Sequence, residues 1–108
     1  MVLVKTRAGF PDGPVVDSEG CLWTGLFGGW SARRYAPDGR LLENVAFPVA
    51  NITKLAFGGP NLTTVYATTA RKGLDAAALA DQPEAGGLFC FEAKVPGQPQ
   101  FCATFTSD

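Results

Sequence analysis

The chain has 108 residues, enough for one small domain with a modest core. Hydrophobic residues make up 46% and charged residues 18%, and the mean hydropathy is +0.09, which excludes a disordered tail. Nine basic and ten acidic residues give a net charge of −1, and the basic residues are spread along the chain. We therefore expect no nucleic acid and no membrane among its partners.

The sequence also bears on the compartment. No early segment has the basic flank, long apolar stretch and cleavage site of a signal peptide, and no apolar run reaches membrane-spanning length. Three cysteines without a secretory signal favour free thiols, so we expect a cytoplasmic protein. Cys90 and Cys102 flank Pro96 symmetrically and are predicted cross-strand neighbours, with free thiols favoured over a disulfide.

Short runs with β propensity alternate with turn sequences along the whole chain. Pro11-Asp12-Gly13 and Pro37-Asp38-Gly39 are typical of turns, because proline presets φ and glycine supplies positive φ. This spacing is typical of antiparallel sheet. The predicted strands are Val2–Val4, Val15–Asp17, Leu22–Leu26, Ala32–Tyr35, Leu41–Phe47, Leu55–Phe57, Val65–Thr69, Leu88–Phe91 and Phe101–Phe105.

An internal repeat turns these strands into an architecture. The pattern recurs with an offset of 40 residues from Val15 to Leu55 and of 43 from Trp23 to Tyr66. A four-stranded unit that repeats at ~40–45 residues is characteristic of β-propeller blades. The sequence predicts an all-β propeller fragment of about two four-stranded antiparallel blades, with residues 1–13 ending a preceding blade, 14–50 forming the first blade and 51–108 the second.

One helix interrupts the second blade. The Ala-rich segment Leu74–Ala80 is predicted to be helical, with Asp75 capping its first amides and Gln82-Pro83 ending it. The insertion at residues 74–83 therefore lies between the second and third strands of that blade.

Five segments in consecutive order have a distinctive wording: Phe10-Pro11-Asp12-Gly13, Val16–Trp23, Phe57-Gly58-Gly59-Pro60, Thr68–Leu74 and Gln82–Phe89. Together they resemble the gluconolactonase and senescence-marker-protein (regucalcin) family, which includes luciferin-regenerating enzymes. The resemblance covers nearly the whole chain and places it in the C-terminal portion of that family. It implies a six-bladed propeller with a divalent metal ion (calcium, zinc, magnesium, manganese or iron) held by Glu, Asn and Asp side chains.

Asp12 is the one residue of this chain that matches a metal-ligand position of the family. It precedes the predicted first strand of a blade, the strand that lines a propeller channel, and Pro11 and Gly13 would hold its carboxylate in place for a hard cation. The alternative is an ordinary turn aspartate, as Asp38 is expected to be.

Other candidates for ligand contact lie near the predicted channel mouth. The repeat position equivalent to Asp12 is Ile52, which cannot bind metal, but its neighbours Asn51 and Thr53 are candidate substrate-binding residues. The alternative is that both only satisfy backbone groups of a turn. For Trp30 and Arg71, rim packing and a solvated charge are favoured over ligand contact.

The chain contains no histidine, which excludes Ser-His and Cys-His nucleophilic catalysis. The resemblance implies part of a metal-dependent lactonase that hydrolyses a sugar lactone such as gluconolactone or xylonolactone, with Asp12 as metal ligand and candidate catalytic base. The alternatives are a non-catalytic fragment that needs the remaining propeller blades, or a self-associating module in which three chains close a six-bladed ring. A propeller that serves only as a binding scaffold is a third.

Overall fold

The computed structural model of the chain describes residues 9–98, and its architecture is two antiparallel β-sheets with one short helix. This confirms the predicted fold class. The predicted strands Val2–Val4 and Phe101–Phe105 lie outside the described residues, as does Cys102.

The first sheet is a four-stranded meander in which each strand pairs with the next along the chain. Its two central strands are almost fully buried, whereas its last strand along the chain alternates mostly between exposed and half-buried residues. The strands are β1 (Phe10–Val16), β2 (Leu22–Phe27), β3 (Ser31–Tyr35) and β4 (Leu41–Ala46).

The second sheet has three strands among the described residues, again paired in chain order: β5 (Ile52–Gly58), β6 (Thr64–Thr69) and β7 (Leu88–Glu92). Between the last two lies the predicted helix, α1 (Ala76–Asp81), and the Asp75 carboxylate accepts the Ala78 N–H at 2.8 Å, as expected of an N-cap. Within residues 9–98 no helix is long and apolar enough to cross a bilayer.

The start of β1 differs from the prediction. Pro11-Asp12-Gly13 is not a turn but part of a strand, with Pro11 opposite Leu26 and Asp12 opposite Gly25. The register then shifts before Val15, which defines a β-bulge. Proline and glycine mark turns locally, but an edge strand with a bulge accommodates both.

The repeat holds in the structure with one correction. Val15 pairs with Trp23, and its repeat equivalent Leu55 pairs with Ala67. The residue equivalent to Trp23 is therefore Ala67, at an offset of 44, and not Tyr66. Burial agrees, since Trp23 and Ala67 are buried while Tyr66 is 41% exposed, and a slip of one residue reverses which face a side chain occupies.

The two sheets pack face to face, with β5 lying against β1 and β2. Gly25 makes this approach possible, because a Cβ there would collide with the side chain of Ile52. Gly13 allows the same close approach on β1, where a Cβ would lie 2.5 Å from the backbone carbonyl oxygen of Thr53. The core between the sheets is apolar and contains Trp23, Ala32, Phe47, Val49, Ile52, Leu55, Val65, Ala67 and Ala93.

A buried ionic network fixes the end of the first sheet where β1 turns into β2. Asp17, which is fully buried, accepts the Arg34 Nε–H at 2.7 Å and the backbone N–H groups of Glu19 and Cys21 at 3.0 Å. Burial alone would lower the pKa of Arg34, but hydrogen bonds to Asp17 and Glu19 raise it above its ordinary value. The network therefore keeps its charges paired.

The contact between the sheets predicts the effect of a single methyl group. Gly25→Ala should lower the free energy of unfolding by about 2–3 kcal/mol, because the sheets must separate to admit it. Gly28→Ala is the matched control: nothing lies near its Cβ position, so only its φ of 81° opposes alanine, at a cost of about 1 kcal/mol. Urea denaturation measures both, and equal costs would contradict close packing at Gly25.

Candidate functional site

The candidate site lies at one end of the two sheets, where the order of the strands brings several strand ends together. The meander brings the start of β1, the β2–β3 turn and the start of β5 to the same side, because consecutive strands alternate in direction. The isolated bridge between Phe27 and Asn51 joins the two sheets there. We call this region the Asp12 end; it comprises Phe10–Asp12, residues 28–30, Asn51–Thr53 and residues 70–73.

Asp12 is half-buried at the bulge of β1, and its backbone is held by a side chain from β2. The Thr24 hydroxyl accepts the Asp12 N–H at 3.1 Å and points its proton toward the carbonyl oxygens of Asp12, at 3.2 Å, and Gly25, at 3.0 Å. Thr24 is 1% exposed, so water does not replace it. The bulge therefore presents Asp12 from a fixed backbone.

The structure brings the backbone beside Asp12 next to Thr53. Gly13 has a φ of 57° and lies against the main chain of Thr53 and Lys54, so a side chain there is excluded by both conformation and space. The register of β5 and β6 shifts between Ile52 and Lys54, which makes Thr53 the counterpart in β5 of the bulge in β1. Two bulges thus meet where the sheets touch.

The Thr53 hydroxyl is engaged with β6. It donates to the Thr68 carbonyl oxygen at 3.1 Å and lies 2.7 Å from the Thr68 hydroxyl, in an exposed position. The two hydroxyls form a polar pair that retains acceptor capacity toward solvent.

Asn51 is only 4% exposed and spans two segments of the Asp12 end. Its side-chain amide nitrogen donates to the Lys72 carbonyl oxygen at 3.1 Å, and its backbone carbonyl oxygen accepts the Ala70 N–H at 2.9 Å. These bonds fasten the chain after β6 to the start of β5. Asn51 therefore makes hydrogen bonds that satisfy backbone groups, as its alternative role expects, and its contact with a substrate stays a prediction.

Gln82 contacts Ala50, the residue before Asn51, whereas the sequence predicted for it only a role in ending the helix. It is 3% exposed, and its side-chain oxygen accepts the Ala50 N–H at 2.8 Å. The bond ties the helical insertion to the segment that joins the two sheets. The sequence shows only a glutamine before a proline, and this local pattern does not identify a hydrogen-bond partner 32 residues away.

A complete metal centre is not formed by the described residues. Within residues 9–98 no three His, Cys, Asp or Glu side chains lie close enough together to hold an ion. The Asp12 carboxylate has the oxygen chemistry that calcium and magnesium prefer, but such ions take six or more ligands. The part of the chain that the structure describes therefore does not form a complete set of such ligands by itself.

The Thr24 hydroxyl predicts a local effect on Asp12. Thr24→Val keeps the shape but leaves the part-buried Asp12 N–H without this acceptor, and should lower the free energy of unfolding by about 1–2 kcal/mol. Amide hydrogen exchange at Asp12 should accelerate in the same variant. Thr24→Ser retains the hydroxyl and should keep slow exchange; equal exchange in the valine and serine variants would contradict the assigned hydrogen bond.

Comparison with known proteins identifies relatives for most of the chain. Residues 1–71 match the family model described as SMP-30/Gluconolactonase/LRE-like region. A 6-deoxy-6-sulfogluconolactonase of Pseudomonas putida is 42% identical over 93 residues, which cover 86% of this chain and 32% of that protein. Regucalcin of Danio rerio is 45% identical over 82 residues, covering 75% of this chain and 28% of regucalcin.

Solved structures agree with the sequence comparisons. A calcium-binding protein, regucalcin, from Agrobacterium tumefaciens superposes with a TM-score of 0.81 at 32% identity, over 87% of this chain and 32% of that one. A luciferin-regenerating enzyme superposes with a TM-score of 0.72 at 33% identity, over 83% of this chain and 30% of that one. The chain thus spans about a third of the length of the relatives that it matches.

Proposed function

Because the chain belongs to the SMP-30/gluconolactonase/LRE-like family, we propose that it forms part of a metal-dependent hydrolase of sugar lactones and that Asp12 is its contribution to the active site. The 6-deoxy-6-sulfogluconolactonase relative supports a lactone substrate, and the calcium-binding regucalcin neighbour supports a divalent metal ion. Gluconolactone and xylonolactone are the substrates to test first.

The observation that carries this proposal is the contrast between two identical tripeptides. Pro11-Asp12-Gly13 is built into a strand at the contact between the sheets, whereas Pro37-Asp38-Gly39 forms a turn at the opposite end, where the exposed Asp38 carboxylate accepts the Arg40 N–H at 3.0 Å. Asp38 has a structural task that explains its presence. Within residues 9–98 no group donates a hydrogen bond to the Asp12 carboxylate, and in the proposal its oxygens bind the ligand.

In the proposed reaction, water adds to the lactone carbonyl carbon, the ring C–O ester bond breaks, and the ring oxygen takes a proton, giving the open hydroxy acid. When bound, a divalent cation supplies polarisation of the ester carbonyl or acidifies a bound water. Asp12 contributes one oxygen ligand and is the candidate base. In the proposal the remaining ligands come from further blades or further copies of the chain, since residues 9–98 hold no cluster of three His, Cys, Asp or Glu side chains.

The substrate contacts proposed for Asn51 and Thr53 have unequal support. The Thr53–Thr68 hydroxyl pair is exposed beside the Asp12 strand and suits a sugar hydroxyl. Asn51 is buried and already bonded, so its part in the proposal is to position the residues 70–73 at the rim.

Cys21 and Cys90 are free thiols, which supports the reducing, cytoplasmic compartment included in the proposal.

Asp12→Ala tests the proposal against Asp38→Ala. Losing a direct metal ligand should reduce lactone hydrolysis by at least about 100-fold, the upper end of what removing an outer-shell partner costs. Asp38→Ala should keep the activity, since Asp38 lies at the far end of the sheet. Hydrolysis is followed as acid release at saturating metal, and full activity in Asp12→Ala would remove Asp12 from the site.

A second candidate is the self-associating module, favoured by the outer face of the second sheet. Tyr66 is 41% and Leu88 69% exposed on that face, and Cys90 lies directly opposite Tyr66 and two residues from Leu88 on β7. Apolar side chains on an open sheet face are typical of a surface that another chain or another blade covers. In this candidate the occupant is a second copy, and three copies supply Asp12 three times.

Light scattering tests the association directly. The 11.4 kDa chain should elute at three times that mass, and Leu88→Glu should dissociate it, because a carboxylate would be buried in the contact. Leu41→Glu, on β4 of the first sheet, is the charge-matched control at a comparably exposed leucine and should stay associated. A wild-type monomer would reject this candidate and leave the remaining propeller blades as the partner.

A further inference from the structure

Trp30 adopts a backbone conformation that a tryptophan normally avoids. Its φ is 57°, in the left-handed region, and Leu62 is the other non-glycine residue at positive φ in residues 9–98. The linker between the sheets imposes this conformation, since the Trp30 N–H donates to the Ala50 oxygen at 3.1 Å and the Trp30 oxygen accepts the Phe47 N–H at 2.8 Å. Glycine would occupy the same position without strain.

Packing does not account for the indole at this position. Trp30 is 44% exposed, whereas Trp23, the other tryptophan, is 1% exposed and packs its ring against Phe91. Leu62, by comparison, is half-buried. Neither burial nor backbone preference therefore explains a large aromatic side chain at residue 30.

The exposed Trp30 side chain lies at the same end of the sheets as Asp12. Its hydrogen bond to Ala50 places it beside Asn51 at the Asp12 end, and the bridge from Asn51 to Phe27 continues to Phe10, which is 68% exposed and two residues from Asp12. Two exposed aromatic residues thus lie at the same end of the sheets as the candidate ligand.

We propose that Trp30 is an aromatic platform on which the apolar face of a sugar-lactone ring stacks, and hence a specificity-determining residue of the site. The C–H bonds on one face of a pyranose ring carry partial positive charge and match the negative face of an indole. A platform held by two backbone hydrogen bonds also loses little conformational freedom on binding. The inference rests on the proposed lactonase function for the nature of its ligand.

Tryptophan fluorescence provides a test that does not depend on turnover. Because Trp23 is buried, a change on adding sugar reports on Trp30. Titration with 1,5-anhydroglucitol, an unreactive six-membered ring, should change the emission saturably, while the acyclic polyol glucitol should not. Trp30→Gly should abolish the change and also raise the melting temperature, because glycine relieves the positive φ.

Kinetics separates this inference from the proposed function. Trp30→Gly should raise KM for gluconolactone about tenfold with kcat within about twofold, and Trp30→Phe should restore most of the KM. An unchanged KM in an active Trp30→Gly variant, or a wild type whose fluorescence ignores the ring, would overturn the platform alone. A saturable fluorescence change in the wild-type chain, with no hydrolysis once the remaining blades or further copies complete the propeller, would overturn the lactonase proposal and support the sugar platform.

Discussion

The close approach of β5 to the first sheet is the constraint on which the Asp12 end depends. Glycine at positions 13 and 25 lets the main chain of one sheet touch the other, and no larger side chain fits either place. The approach aligns the two bulges, which sets the Asp12 backbone against Thr53. The ionic network of Asp17 and Arg34 lies at the opposite end, so the charges that hold the fold are separated from the Asp12 carboxylate.

Much of this arrangement was predictable from the sequence. The alternating strands, the repeat and the helix capped by Asp75 follow from local patterns and are present in the structure. The bulge was missed because Pro11 and Gly13 are turn formers locally, and only pairing with β2 makes them part of a strand. The Thr24 and Gln82 contacts join residues distant in sequence, which no local pattern encodes.

The molecule combines rigidity and exposure at the Asp12 end. Thr24 fixes the backbone of Asp12, Asn51 fixes the residues after β6, and the linker between the sheets fixes Trp30. Rigid support of this kind suits a binding site, because little order remains to be gained when a ligand arrives. In the proposed function a single carboxylate is an incomplete metal site, and the chain is one contributor to a centre that further blades or further copies complete.

The most direct test of the central claim, that Asp12 is a metal ligand, uses paramagnetic Mn²⁺ as the probe. Added at substoichiometric amounts to the isotopically labelled chain, Mn²⁺ broadens the amide resonances nearest to its binding site. We predict preferential broadening at Asp12 and Gly13, with Asp38 and Gly39 unaffected. The broadening should be lost in Asp12→Ala. Broadening that is equal at the two Pro-Asp-Gly segments, or confined to Asp38, would contradict it.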